Sequence, residues 1–114
     1  MTTYTTTYGR VTWYDMVDPS PADVDVLSRS YPYVHPLNLE DLRSSIERPK
    51  LDVDEFYLFV VLHFPLWDKA LRLTRPREVN IIMGRGYVVT AHDGSLKPLL
   101  RLREAVEEDE DERA

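Results

Sequence analysis

The chain has 114 residues, 43% of them hydrophobic, which suits one domain around a single core rather than two. A formal net charge of −6 argues against nucleic acid as a partner, because phosphate binding draws on clustered Lys and Arg. With no cysteine the sequence excludes disulfides, thiolate nucleophiles and thiolate zinc sites, and with no run of about 18 apolar residues it holds no helix able to span a bilayer.

The polar start Met1-Thr2-Thr3-Tyr4 lacks the basic and apolar regions of a signal peptide. Thr2 to Thr7 is low in complexity and short of core residues, so residues 1–8 read as a disordered or frayed terminus before a domain spanning residues 9–106. Arg10 to Met16 is rich in β-branched and aromatic types, with Val11 and Trp13 alternating against Thr12 and Tyr14 in a pattern that Asp15 would continue. That favours a first strand, ended by Asp18-Pro19.

Ser20, Pro21 and Asp23 mark a helix start. The Ser hydroxyl can accept a backbone N–H, Pro suits the first helical position and Asp complements the positive helix end. This helix should run to about Ser30, where Tyr31-Pro32-Tyr33 stops it, since a residue before proline is pushed out of the α region. Pro36 begins a second helix in which Leu39, Leu42 and Ile46 form one apolar stripe, closed by Arg48-Pro49.

Phe56 to Phe64 is almost continuously apolar, the pattern of a central strand covered on both faces, so Leu58→Asp or Val60→Asp should unfold the domain. Leu71 to Thr74 and Arg77 to Met83 read as two more strands, and Gly84-Arg85-Gly86 supplies positive φ for a tight antiparallel hairpin into Tyr87 to His92. Asp93-Gly94-Ser95 turns the chain into a last helix with Leu96, Leu99, Leu100 and Leu102 on its apolar face. The fold class is therefore α+β (α/β-like), a mixed, mainly antiparallel sheet packed by helices. Glu107 to Glu112 is an unbroken acidic run where a helix end prefers positive side chains, so residues 107–114 read as an acidic tail.

Little here supports catalysis. His35, His63 and His92 are too far apart for a metal-ligand spacing, and read instead as a helix cap, a core-strand residue and a strand end. Asp93 and Ser95 beside His92 are explained by a turn, because neighbours in sequence do not converge as a triad does. Gly84-x-Gly86 lies between strands, whereas phosphate loops need a helix amino end after the glycines. Lys69, Arg72, Arg75, Arg77 and Arg85 could form a basic patch, though overall acidity favours an exposed strand face. Oxygen-rich divalent-cation sites use one or two carboxylates and leave hardly any motif, so Asp52, Asp54, Glu55, Asp68 and the terminal acids are all candidates.

Several motifs recur together: Trp13-Tyr14-Asp15 leading to Asp18-Pro19-Ser20, then His35-Pro36-Leu37 with Leu39-Glu40-Asp41-Leu42, then Arg48-Pro49-Lys50-Leu51, then Tyr57 to Leu62. Their order and spacing, from about Val11 to about Leu102, resemble the amino-terminal cytosolic domain of CorA-like magnesium/cobalt transporters. The resemblance implies a non-enzymatic, cytosolic regulatory domain that senses divalent cations, with Mg2+ as regulatory ion. It further implies a homopentamer on the cytosolic face of the cell membrane, attached only through a carboxyl-terminal part that also continues the last helix as a stalk. Arg48, Pro49 and Lys50 form the family motif in a structural role. Counting forward through the strand after it puts Asp68, in Trp67-Asp68-Lys69, at a sensing site between neighbouring subunits. A stand-alone interaction module of the same fold, and a domain of a zinc-transporting relative, are the alternatives.

Overall fold

The computed structural model describes residues 2–43 and 49–113. Its strands are β1 (Thr2–Tyr8), β2 (Val11–Val17), β3 (Lys50–Val53), β4 (Tyr57–Asp68), β5 (Leu73–Gly84) and β6 (Tyr87–His92), with helices α1 (Pro21–Ser30), α2 (Pro36–Asp41) and α3 (Lys97–Arg113). The strands form one six-stranded sheet in the order β1-β2-β6-β5-β4-β3. Every neighbouring pair is antiparallel except β2–β6, so the sheet is mixed and mainly antiparallel, as the sequence predicts. No described helix is long and apolar enough to cross a membrane.

Local chemistry sets the helix starts. Ser20 caps α1 by accepting from the Asp23 N–H, while the Asp23 carboxylate accepts from the Ser20 N–H at 2.9 Å, a reciprocal capping box behind Pro21. His35 caps α2 through Nδ1, which accepts from the Leu37 N–H at 3.1 Å. The start of α2 is then tied to the sheet by the Tyr57 hydroxyl, which accepts from the His35 N–H and from the Asn38 amide. At the β5–β6 turn, Gly86 has φ +82, and any side chain at Gly84 would collide with the Tyr87 ring.

Alternation divides the sheet into two faces. One carries Met16, Tyr57, Phe59, Val61, Ile82, Tyr87, Val89 and Ala91, which with Val24, Leu27, Val34, Leu39 and Leu42 form the apolar core under α1 and α2. Tyr31 stacks on Tyr87 at 3.8 Å between centroids, and the Tyr33 and Tyr87 hydroxyls bond at 2.7 Å, closing that core at one end. The opposite face is crossed by α3 over β1 and β2.

Four expectations need correction. Thr2–Tyr8 is not frayed but pairs residue for residue with Val11–Val17, because Thr and Tyr suit strands even where they contribute little core. Lys50–Val53, given no element by the sequence pattern, adds an edge strand to β4. The two strands expected at Leu71–Thr74 and Arg77–Met83 are one, with Pro76 opposite Pro65. Finally, β4 is covered on one face only: Phe59 and Val61 are buried, whereas Leu58 and Val60 are half-buried and Leu62 and Phe64 exposed. Replacing Leu58 or Val60 by Asp therefore does not place a charge in the core. Ile46, assigned to the α2 stripe, lies outside the described residues.

From Leu62 to Val79, β4 and β5 pair only with each other among the described residues, because β3 ends at the Val61 pairing and β6 begins at Asn80. The sheet thus carries a two-stranded arm.

Candidate functional site

Asp68 lies at the tip of that arm. Its Oδ1 accepts from the Ala70 and Leu71 N–H groups at 3.0 and 3.1 Å, and its Oδ2 is 3.8 Å from Arg75. One oxygen therefore closes the turn, where Arg72 takes a left-handed φ of 53°, and the other lies beside a cation on a half-buried side chain. Asp68 can offer a divalent ion one oxygen on an accessible surface, and the remaining ligands would have to be water or a neighbouring copy. Among the described residues, no group of three or more His, Cys, Asp or Glu is placed to hold a metal.

The other acidic candidates separate. Asp54 turns the chain between β3 and β4, accepting from the Phe56 N–H at 3.1 Å, and Glu55 is exposed beside it. Asp52 belongs to a more organised group. Lys50 Nζ sits 3.0 Å from Asp41 Oδ2 and 3.7 Å from Asp52 Oδ2, above the Phe59 ring, in an open cleft of about 590 Å³. An ammonium thus lies between two carboxylates and ties α2 to the edge of the sheet. Of the Arg48-Pro49-Lys50 motif, Lys50 has this contact, Pro49 is exposed just before β3, and Arg48 is outside the described residues.

The histidines behave differently from one another. His35 caps α2 as expected. His63 stands in the arm rather than the core, 3.4 Å from Glu78. His92 does end β6, but it also belongs to a buried network that the sequence reading did not find. Asp15, 1% exposed, accepts from Thr90 Oγ1 and His92 Nε2 at 2.6 Å each, and from Arg103 Nη1 at 2.8 Å. The Gly94 N–H donates to His92 Nδ1 at 3.0 Å, so the ring proton lies on Nε2 and is given to Asp15. Trp13 Nε1 donates to Thr90 at 2.9 Å, and the Arg103 guanidinium stands 3.6 Å from the Tyr4 ring centroid.

Burial alone would raise the Asp15 pKa. Hydrogen bonds from His92 and Thr90, the His92 ring and Arg103 outweigh it, so the carboxyl is held below its usual range. An Asp at an inward strand position beside Trp13 was the available signal, since a buried carboxylate must find partners. His92 also borders a cavity of about 320 Å³ beside Arg77 and Asp93, but Asp15, Thr90 and Arg103 do not line it, so the network serves as a clasp between α3 and the sheet.

Asp93, Gly94 and Ser95 form the predicted turn, with Ser95 N–H donating to Asp93 at 2.9 Å and Gly94 at φ 82°. The basic residues do not form one patch. Lys69, Arg72 and Arg75 are exposed on the arm, Arg77 lies 3.9 Å from Asp93, and Arg85 is at the other end of β5.

The sequence model of the CorA-like Mg2+ transporter protein family matches residues 8–114. YfjQ of Bacillus subtilis (strain 168), assigned by its name to metal ion transport, is 34% identical over 92 residues, covering 81% of this chain and 27% of its own. The cobalt/magnesium transport protein CorA of Thermotoga maritima is 31% identical over 78 residues, covering 68% of this chain and 22% of its own. The chain thus spans about a quarter of the length of these curated relatives. In fold it is similar to the soluble domain of CorA from Methanocaldococcus jannaschii (TM-score 0.69, 21% identity, 85% of this chain and 37% of that one). It is also similar to the ZntB cytoplasmic domain from Vibrio parahaemolyticus (TM-score 0.67, 14% identity, 90% and 42%). With a family match running from Tyr8 to the last residue and the same mixed sheet, this chain belongs to the CorA-like Mg2+ transporter family.

Proposed function

We propose that the chain is the cytosolic, divalent-cation-sensing domain of a CorA-like magnesium or divalent metal ion transporter, acting as one subunit of a homopentamer at the cytosolic face of the cell membrane. The observation that carries this reading is the family match across residues 8–114, joined to a fold shared with a domain described as the soluble part of a CorA protein. The transporter names of the relatives favour a non-enzymatic role. ZntB likeness is one of fold alone, so the transported ion stays at the family's magnesium.

Asp68 is the proposed sensing ligand. Its second oxygen, on a partly exposed turn, could meet a neighbouring subunit, and facing carboxylates repel until their charge is neutralised. Mg2+, when bound, would supply that neutralisation while keeping much of its water. The assembly held by bridged carboxylates is then favoured over the separated one, and loss of internal Mg2+ lets subunits move.

A second placement has its own observation. Lys50 occupies the position of a cation between Asp41 and Asp52, and a divalent ion of higher charge could compete for those oxygens. Inhibition of transport by internal Mg2+, measured for Asp68→Ala and Asp41→Ala in the full-length transporter, separates the two. Weakened inhibition for Asp68→Ala alone supports the arm. A normal response for Asp68→Ala with a weakened one for Asp41→Ala moves the ligand to the Lys50 cleft, and a normal response for both removes the sensing role.

A further inference from the structure

We propose that the outer edge of β1 is a pairing surface for a second copy of this chain, the two β1 strands lying antiparallel about Thr6 so that both sheets become one. The sheet ends in β1 on one side and β3 on the other, and the two edges are protected differently. β3 has four residues, carries Lys50 and Asp52 and follows Pro49, all features that keep another strand away. β1 has seven residues with no charge, proline or glycine among them, in a chain of which 30% is charged. A strand of that composition is one that another strand can join.

The hairpin fixes which backbone groups are offered. Tyr8 faces Val11 across the turn at Gly9 and Arg10, with Gly9 at φ 60°, so Tyr4, Thr6 and Tyr8 direct their backbone N–H and C=O groups to β2. Thr3, Thr5 and Thr7 therefore direct theirs to the outer edge, where Thr5 and Thr7 are exposed.

The order of side chains selects the occupant. Tyr4-Thr5-Thr6-Thr7-Tyr8 reads the same in both directions. Laid antiparallel on itself about Thr6, it sets Thr5 opposite Thr7 of the partner subunit in a pair that exchanges both backbone bonds. Tyr4 then stands opposite Tyr8 of the partner subunit in a pair without those bonds, where side chains come closest. Aromatic pairs and Thr–Thr pairs are favourable across strands, and within this register no like charges face each other. Apolar surface flanks the edge on both faces. Tyr4 and Tyr8 are 38% and 39% exposed on the α3 side, and on the other side Val26 of α1 is 59% exposed at a cavity of about 310 Å³ that Thr3 and Thr5 also line. The same patch serves both copies, so the contact is two-fold and uses up both β1 edges, leaving only the protected β3 edges. A two-fold contact cannot close a ring of five, so it is separate from the proposed pentamer and joins chains of different assemblies.

Sedimentation velocity of this chain without divalent ions, at about 50 mM and about 500 mM NaCl, tests the proposal. A concentration-dependent species of two chains is expected, and it should gain at high salt because each copy carries −6. Thr5→Pro removes an N–H that points away from β2, so it should weaken association about tenfold or more while the melt stays cooperative. Because the chain has no cysteine, Thr5→Cys and Thr7→Cys read the register. Oxidising their mixture should give a disulfide-linked dimer, whereas either variant alone should not, since its two thiols lie on a diagonal too long to bridge. The cysteine pair decides alone if Thr5→Pro does not fold. A single-chain mass at every concentration and salt overturns the proposal and leaves the edge to a strand of another protein. Association indifferent to a folded Thr5→Pro overturns it too, as does either cysteine variant cross-linking alone as readily as the mixture. Asp68 is untouched in every variant, so failure here leaves the transport test of Asp68 standing.

Discussion

Asp15→Ala should be among the most damaging single substitutions in this domain, although it removes only a short polar side chain. At 1% exposure, Asp15 satisfies Thr90, His92 and Arg103 at 2.6, 2.6 and 2.8 Å. Its loss strands a guanidinium in a buried position and leaves two further donors without an acceptor. Removing one partner of a buried ion pair costs about 3–5 kcal/mol, a large share of the about 5–15 kcal/mol that holds a domain together. At roughly 4 °C per kcal/mol for a chain of this size, the melting temperature should fall by about 12–20 °C. Urea titration followed by far-ultraviolet circular dichroism reads the loss directly, with the slope unchanged if only stability moves. Replacing both ends, Asp15→Leu with Arg103→Met, should cost less than Asp15→Ala alone, because no charge is then left unpaired. A cost below about 1 kcal/mol for Asp15→Ala, or a double variant equal to the sum of its singles, would show that the clasp contributes little.

The pH dependence follows from two groups of opposite sign. Asp15 has a depressed pKa when folded, so its contribution is present above the unfolded value of about 3.9 and is lost as pH falls through the folded one; thermal melts should drop on that side and flatten in Asp15→Asn. Burial, then the Tyr33 hydrogen bond, pushes the Tyr87 phenol up, so its contribution is present below about pH 10 and is lost as pH rises above it; Tyr87→Phe should lessen that alkaline decline. Phe59→Asp, at a position with 0% exposure, should leave no cooperative melt, while Leu58→Asp on the half-open face should still fold; equal outcomes would contradict the two-face assignment. Ser20→Ala removes one half of the capping box and should cost about 1 kcal/mol in chemical denaturation, a value near zero meaning that Asp23 holds the helix start alone.

Local signals were legible where the physics is local. Ser20-Pro21-x-Asp23, His35-Pro36 and Asp93-Gly94-Ser95 each satisfy nearby backbone groups, so residue order alone locates α1, α2 and the last turn. Long-range arrangement was harder to read. The apolar run in β4 cannot tell a strand buried on both sides from one whose second face is left apolar and open, because composition is the same in both. The expected strands Leu71–Thr74 and Arg77–Met83 left Arg75 and Pro76 between them, yet Pro76 paired with Pro65 fits a ladder whose edges are free. Asp68, read as lying just after the strand, is its last residue because β4 runs on beyond Phe64, and its use in closing the arm depends on the Ala70 and Leu71 amides and on Arg75 coming back across the turn. The Asp15 network was hidden for a similar reason, since Arg103 lies 88 positions away and only the parallel β2–β6 pairing aligns Asp15 with Thr90.

The two sides of the sheet are joined to their helices by different forces, and this decides how a displacement travels. Under α1 and α2 the contact is an apolar cluster in which Phe59, Ile82 and Val89 are wholly enclosed, and such packing is non-directional and spread over many atoms. On the other side α3 reaches the sheet through Arg103, whose bond to Asp15 and stacking on Tyr4 are both specific in direction. A directional bond between buried charges weakens steeply once its alignment is lost, and what remains is an uncompensated charge rather than a slightly looser contact. A pull along α3 therefore meets little gradual yielding: the clasp holds, or it opens as a unit with His92 and Thr90. Since Asp15 sits on β2 and both His92 and Thr90 on β6, that single event is felt at once by the one parallel pair in the sheet and by the Gly94 turn from which α3 departs.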